Sequence, residues 1–285
     1  MKAPQVFLFI ANIFYLHIVD DQNLCRAQNV DHHLIFLLFS FLSAIISIEP
    51  CELVLSSERK GFQLFIFWGN GSEESKSLVE SIQVRSTENF NWTFIFILAV
   101  VFYVYWTEIH KKNYEVVYAG LALYGVHWLY EIVNAIIGHF AGYPLWSVSN
   151  ESTTFILLIG VCWELSMMFS LAGIISFKML PQDRTKRYFA KNGKRGISCK
   201  LIGAIEMALL FALFESFLAG TSNHSFIWVY KWWGVIPVFI TTYIPFFLAS
   251  NYVPDLAPKK RRAFLIVEWS LVAVLLAVLI PLGII

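Results

Sequence analysis

The chain has 285 residues, of which 58% are hydrophobic, 17% aromatic and only 14% charged, with a formal net charge of +1. Its apolar share lies far above, and its charged share far below, what a soluble domain carries. Several apolar runs of about 20 residues, none of them alternating, exclude a transmembrane β-barrel and point to an all-α, polytopic membrane helix bundle.

Residues 1–91 read as an N-terminal membrane segment followed by a polar linker. Lys2 and the apolar run Val6–Val19 have the form of a signal anchor. Leu34–Ile48 is a second run, short for a span, and Phe62–Trp68 is too short to cross. Residues 69–91, rich in Ser and Glu, read as a solvated loop. From Trp92 onward six spans are predicted, over 92–109, 115–140, 154–177, 201–219, 226–250 and 264–284. With one crossing before them, the expectation is about seven transmembrane helices, six of them in a membrane domain covering 92–285.

Charge is distributed unevenly between the loops. Lys111 and Lys112 follow the first of the six spans, eight Lys/Arg from Lys178 to Lys200 follow the third, and Lys259–Arg262 precede the last. The loops 141–153 and 220–225 contain no basic residue. The positive-inside rule therefore predicts that 110–113, 178–200 and 251–263 are cytoplasmic. Four N-x-S/T sequons, at Asn70, Asn91, Asn150 and Asn223, all fall on the other side, where a secretory-pathway protein would be glycosylated. For residue 1 to be cytoplasmic and 69–91 outside, either Val6–Val19 or Leu34–Ile48 spans, but not both.

The basic stretch 178–200 lies between membrane helices, so its expected partner is the anionic lipid headgroup layer and not a nucleic acid. The cysteines Cys25, Cys51, Cys162 and Cys199 form no CxxC or metal-ligand spacing. No P-loop, GxGxxG, HExxH or internal repeat is present, and neither a metal nor a cofactor is implied. Nothing in the sequence sets an oligomeric state.

The stretch Tyr114–Phe140 carries the chemistry. His127, Glu131 and Asn134 stand at i, i+4 and i+7, so a helix puts them on one face, with Tyr124 and Gly138 extending the row. Val126, Leu129, Val133, Ile136 and Phe140 form the opposite, lipid-compatible strip. Ionisable side chains at membrane depth mark a functional site facing the bundle interior. Counted along the helices, Glu131 lies about 14 Å and Glu164 about 15 Å from the outer ends of adjacent antiparallel spans. The two carboxylates are thus expected to be level, and if they face each other one stays protonated as an acid. The competing structural reading is that His127 and Glu131 satisfy each other and Asn134 bonds a neighbouring helix.

Further polar residues have simpler roles in view. Glu215 and Lys231 are expected to be level and salt-bridged, with headgroup binding by Lys231 as the alternative. Glu206 and Glu268 are expected near the cytoplasmic face as partners of Lys200 and Arg261 or Arg262. Cys162, Ser166, Ser170 and Gly173 make a small-residue stripe suited to close helix packing. Tyr143, Trp146, Trp228, Tyr230, Trp232 and Trp233 read as an interfacial aromatic belt, while Trp128 is placed to line a pocket. Pro237 and Pro245 predict a kink or local unwinding that opens a cavity.

The general plan is similar, at the level of architecture alone, to that of small membrane enzymes acting on lipids, such as terpene cyclases and sterol isomerases. The functional expectation is an acid–base enzyme acting on an isoprenoid, sterol or other hydrophobic small molecule. Glu131, Glu164 and His127 would move protons, and Asn134, Tyr124, Trp128 and Lys231 would bind substrate. The alternatives are a proton-coupled transporter built on the same residues and a non-catalytic membrane scaffold.

Overall fold

The computed structural model describes residues 67–285, except 70, 88, 89, 91, 93, 151–154, 191–195 and 221–224. The expectations for Val6–Val19 and Leu34–Ile48, for Cys25 and Cys51, and for the sequons at Asn70, Asn91 and Asn223 lie outside the described residues. The chain divides into two units, one comprising 1–61 with 181–186 and the other 62–180 with 187–285. In the first, Asp183 accepts from both the N–H and the hydroxyl of Thr185. The Thr185 hydroxyl, then its backbone N–H, hold that carboxyl below its usual range. All that follows concerns the second unit.

The second unit is mostly helical. Its helices are α1 (Glu73–Glu80), α2 (Phe94–His110), α3 (Tyr114–Ala141), α4 (Trp163–Lys178), α5 (Cys199–Gly220), α6 (Val235–Asp255) and α7 (Pro258–Leu279). Four of these, α3, α5, α6 and α7, are long and apolar enough to cross a membrane. α2 has 17 residues and α4 only 16. The helices support a membrane bundle, with α4 shorter than the span expected over 154–177.

Between the helices lie short antiparallel strand pairs. β1 (Ser147–Val148) pairs with β6 (Phe226–Ile227), β2 (Ile156–Leu158) with β3 (Val161–Cys162), and β4 (Arg187–Tyr188) with β5 (Ile197–Ser198). The predicted third span, 154–177, is thus an extended hairpin over 156–162 followed by a 16-residue helix. Continuous apolarity does not distinguish buried strand from buried helix, and here Gly160 marks the turn. The hairpin's backbone is satisfied inside the protein: Arg85 N–H donates to Ile156 C=O at 2.8 Å and Val148 N–H to Ile159 C=O at 3.1 Å. Non-helical backbone at membrane depth requires that kind of internal pairing.

Residues 69–91 are not a plain linker. Ser72 caps α1 by accepting from Ser75 N–H, and Glu73 and Glu74 fill the first turn, where the helix dipole favours them. Val79 of this helix packs with Ile227 and Val229. Tyr143 donates to Glu80 at 2.6 Å, and that hydrogen bond raises the phenol above its ordinary range.

The core forms where α3, α4, α5 and α6 meet. Residues 165–177 of α4 are buried without interruption. The small-residue stripe of α4 packs on α3 as expected. A Cβ at Gly173 would come within 2.6 Å of Ala119 O, and one at Gly120 within 3.1 Å of Ser170 O. Ser166 hydrogen-bonds Tyr124 at 2.8 Å. α6 opens after Pro237 into a π-helical stretch, Val238–Tyr243, and closes again at Ile244. Pro245 lacks the N–H that an α-helix would offer to the carbonyl four residues back, and its ring crowds that carbonyl, so the turn before it widens.

One end of the bundle gathers the basic residues. Lys178 bonds Glu108 at 2.8 Å, tying the C-terminus of α4 to that of α2. Lys200 pairs with Asp255, and the Arg261 guanidinium sits 4.7 Å above the Tyr118 ring. Glu206 is exposed on α5.

Candidate functional site

α3 presents its polar row inward. His127, Glu131 and Asn134 are all buried, while Val133 is 52% and Phe140 75% exposed on the opposite strip. Spacing at i, i+4 and i+7 produces that division directly.

A small cavity opens against this row, lined by His127 and Glu131 of α3, Leu165 and Phe169 of α4, Glu215 of α5 and Val238, Thr242, Tyr243 and Phe246 of α6. Trp146 and Phe226 complete it. Its free interior has room for about one water molecule. The π-helical stretch supplies Val238, Thr242 and Tyr243, so the widened turn between the two prolines does line a cavity.

Two carboxyl groups from different helices meet this space. The Trp146 indole N–H donates to both oxygens of Glu131, at 3.1 and 3.2 Å. His127 Nε2 lies 3.4 Å from Glu131 Oε1, an electrostatic approach rather than an aligned bond, since neither imidazole nitrogen has a hydrogen-bond partner among the described residues. Glu215 accepts from Trp228 Nε1 at 2.7 Å and from the Tyr243 hydroxyl at 2.5 Å. The Thr242 hydroxyl is buried and unpartnered among the described residues. Every oxygen of these two carboxyls thus accepts from a neutral N–H or O–H donor.

Aromatic rings fix the geometry. His127 stacks on Phe169 with centroids 4.2 Å apart, and Phe169 stacks in turn on Tyr243 at 6.2 Å. Trp146 stacks on Trp233 at 5.5 Å. Trp146, Trp228 and Trp233 are 7%, 2% and 4% exposed, so these three pack into the protein as a lid over the cavity, whereas Trp232 is 58% exposed. The β1–β6 pairing holds the two lid segments together.

The other expected site residues are placed as follows. Glu164 is in the first turn of α4, beside Cys162, and does not line the cavity. It is near the start of its helix and not ten residues in, because the hairpin occupies the first part of the predicted span. Lys231 is exposed, with its side-chain carbons against Gly71, and Glu215 takes Trp228 and Tyr243 in place of the expected salt bridge. Asn134 accepts from Leu145 and Trp146 N–H and donates to Trp146 C=O, pinning the lid segment to α3. Tyr124 bonds Ser166, and Trp128 meets Tyr124 and His127 edge-on. Sequence reasoning missed Trp146, Trp228, Thr242 and Tyr243 as site residues. Only the two flanking prolines pointed to the last two.

A family described as "Uncharacterized membrane protein family" matches residues 74–281. A protein of Archaeoglobus fulgidus, described as an uncharacterized protein, is 35% identical over 183 residues, 63% of this chain and 83% of that protein. No solved structure matches the chain. The family match runs from α1 through α7 and so takes in every element that lines the cavity. The chain belongs to this uncharacterized membrane protein family and is an integral membrane protein.

Proposed function

We propose that the protein is a membrane carrier that couples proton exchange at Glu131, His127 and Glu215 to the passage of a small solute. The observation that supports this is one enclosed cavity receiving two carboxyls and an imidazole from two different helices. A proton exchanged among these groups needs no more room than the cavity offers. Two interrupted elements meet there as well, the hairpin before α4 and the π-helical stretch of α6, and interrupted helices around a central polar site are characteristic of carriers. With the basic ends of the helices in the cytoplasm, facing anionic headgroups, the Trp lid closes the centre from the outer side.

A second reading, an acid–base enzyme acting on an isoprenoid or other lipid, draws support from Phe169, Tyr243 and Phe246, whose rings suit a developing carbocation. Like the passage of a solute, it requires the cavity to open, and more widely, since pockets for molecules of that size enclose roughly 300–1,000 Å³.

Vesicles reconstituted with the protein, loaded with a pH-sensitive dye and given a potassium diffusion potential, test the carrier. Proton entry above that of protein-free vesicles is expected, lost in Glu131→Gln and in Glu215→Gln. A wild-type response equal to that of protein-free vesicles would sink the proposal. Altered cellular lipids in the same two variants would favour the enzyme.

A further inference from the structure

α7 carries a carboxyl that the cavity does not use. Glu268 is 5% exposed, and both of its oxygens are buried without a hydrogen-bond partner among the described residues. It stands ten residues from Pro258, about 15 Å along the helix, and six residues, about 9 Å, beyond Arg262. The turn on either side of it is turned to lipid: Ile266 and Val267 are each 66% exposed and Leu271 46%.

The seat for this carboxyl is on α3. A Cβ at Gly125 would come within 2.4 Å of Glu268 Cδ and 2.6 Å of Oε2, so the absent side chain is the slot the carboxyl fills. Gly125 is itself eleven residues from Tyr114, about 16 Å, so both helices place the contact at the same depth. It is six residues from Glu131, on a different face of α3 and about 9 Å along the axis.

We infer that Glu268 is a second proton-binding site, a carboxylic acid held neutral in the seam between α3 and α7. An isolated carboxylate in such a place carries a large desolvation penalty, which protonation removes. Neither Glu268 oxygen is hydrogen-bonded to a charged group among the described residues, and the buried Nε of Arg261, about two turns back along α7, also lacks a hydrogen-bond partner there. On α7, Arg261 bonds Pro254 C=O at 3.1 Å and covers the Tyr118 ring. On α3, Tyr124 bonds Ser166. Lys200 of α5 pairs with Asp255 at the end of α6. The nearby Leu121 carbonyl is taken by Trp269 Nε1 at 3.3 Å. A metal cation would need several oxygen ligands, and the slot offers one carboxyl and a glycine. A proton is the only cation these residues accommodate. The site is independent of whether the Glu131–Glu215 centre moves protons.

Infrared difference spectroscopy of the reconstituted protein, wild type minus Glu268→Gln, tests this directly. The wild type is expected to show the carbonyl stretch of a neutral carboxylic acid at neutral pH, with the band lost in Glu268→Gln and shifted in Glu268→Asp. Gly125→Ala removes the slot, and its band is expected to convert to that of a carboxylate at lower pH than in the wild type. A wild type whose acid band at neutral pH is unchanged by Glu268→Gln overturns the proposal. So does a Glu268 signal already in carboxylate form. Glu268→Asp keeps the test available if the amide variant does not fold.

Discussion

The donors around the two cavity carboxyls are tryptophans and a tyrosine, and this choice has an energetic consequence. Trp146→Phe keeps most of the ring that stacks on Trp233 but leaves Glu131 without its N–H donor. A buried acceptor stripped of its partner costs about 1–3 kcal/mol. Trp232→Phe, at an exposed position, is expected to change stability by less than about 0.5 kcal/mol. Melting in a mild detergent should separate the two variants, and equal losses would mean that the indole N–H contributes nothing. At this scale the sequence was informative where helix periodicity governs. The inward row His127, Glu131 and Asn134 is where spacing places it. It was uninformative about partners, because depth was counted from helix ends. α3 has 28 residues, about 42 Å, and so extends past a hydrocarbon core of about 30 Å. Glu131 therefore meets Glu215 and a lid tryptophan, and Glu164 sits elsewhere.

The element that departs furthest from expectation is the hairpin before α4. Its turn at Gly160 presses on the site: a Cβ there would lie 2.4 Å from Glu131 Oε2, 2.6 Å from Asn134 Nδ2 and 2.6 Å from Trp146 Nε1. Gly160→Ala thus has to displace the hairpin, the carboxyl or the lid. A loss of about 1–3 kcal/mol is expected from such overpacking. Because the contact falls on the site, proton entry in the vesicle assay should fall with it. An alanine variant with wild-type melting and wild-type flux would show that the hairpin is free to move away. Apolar runs reveal that a segment is buried, not whether it is extended or helical, so 154–177 reads as one span in sequence and is two elements in the fold. The π-helical stretch was more legible, since Pro237 and Pro245 each remove a backbone donor and bracket the turn that widens.

Across the whole molecule, the one-sided charge pattern and the side-chain contacts agree independently. Lys178 with Glu108 joins α4 to α2, Ser176 with Asn251 joins α4 to α6, Lys200 with Asp255 joins α5 to α6, and Arg261 over Tyr118 joins α7 to α3. Each contact lies toward the ends of the helices that carry the basic residues, which the sequence could only count. The positive-inside rule predicts that those charges face the compartment that retains basic loops, because moving them across the bilayer during insertion is unfavourable. Single cysteines at Lys112 and Lys260, in a background lacking the four native cysteines, should therefore react with a membrane-impermeant maleimide only after the cells are permeabilised. A cysteine at Lys231, exposed beside the Trp lid, should react in intact cells. The reverse pattern would invert the topology and put the lid in the cytoplasm. Reaction at all three positions in intact cells would remove the single-sided arrangement, and with it the separation of lid and basic face on which directional proton exchange depends.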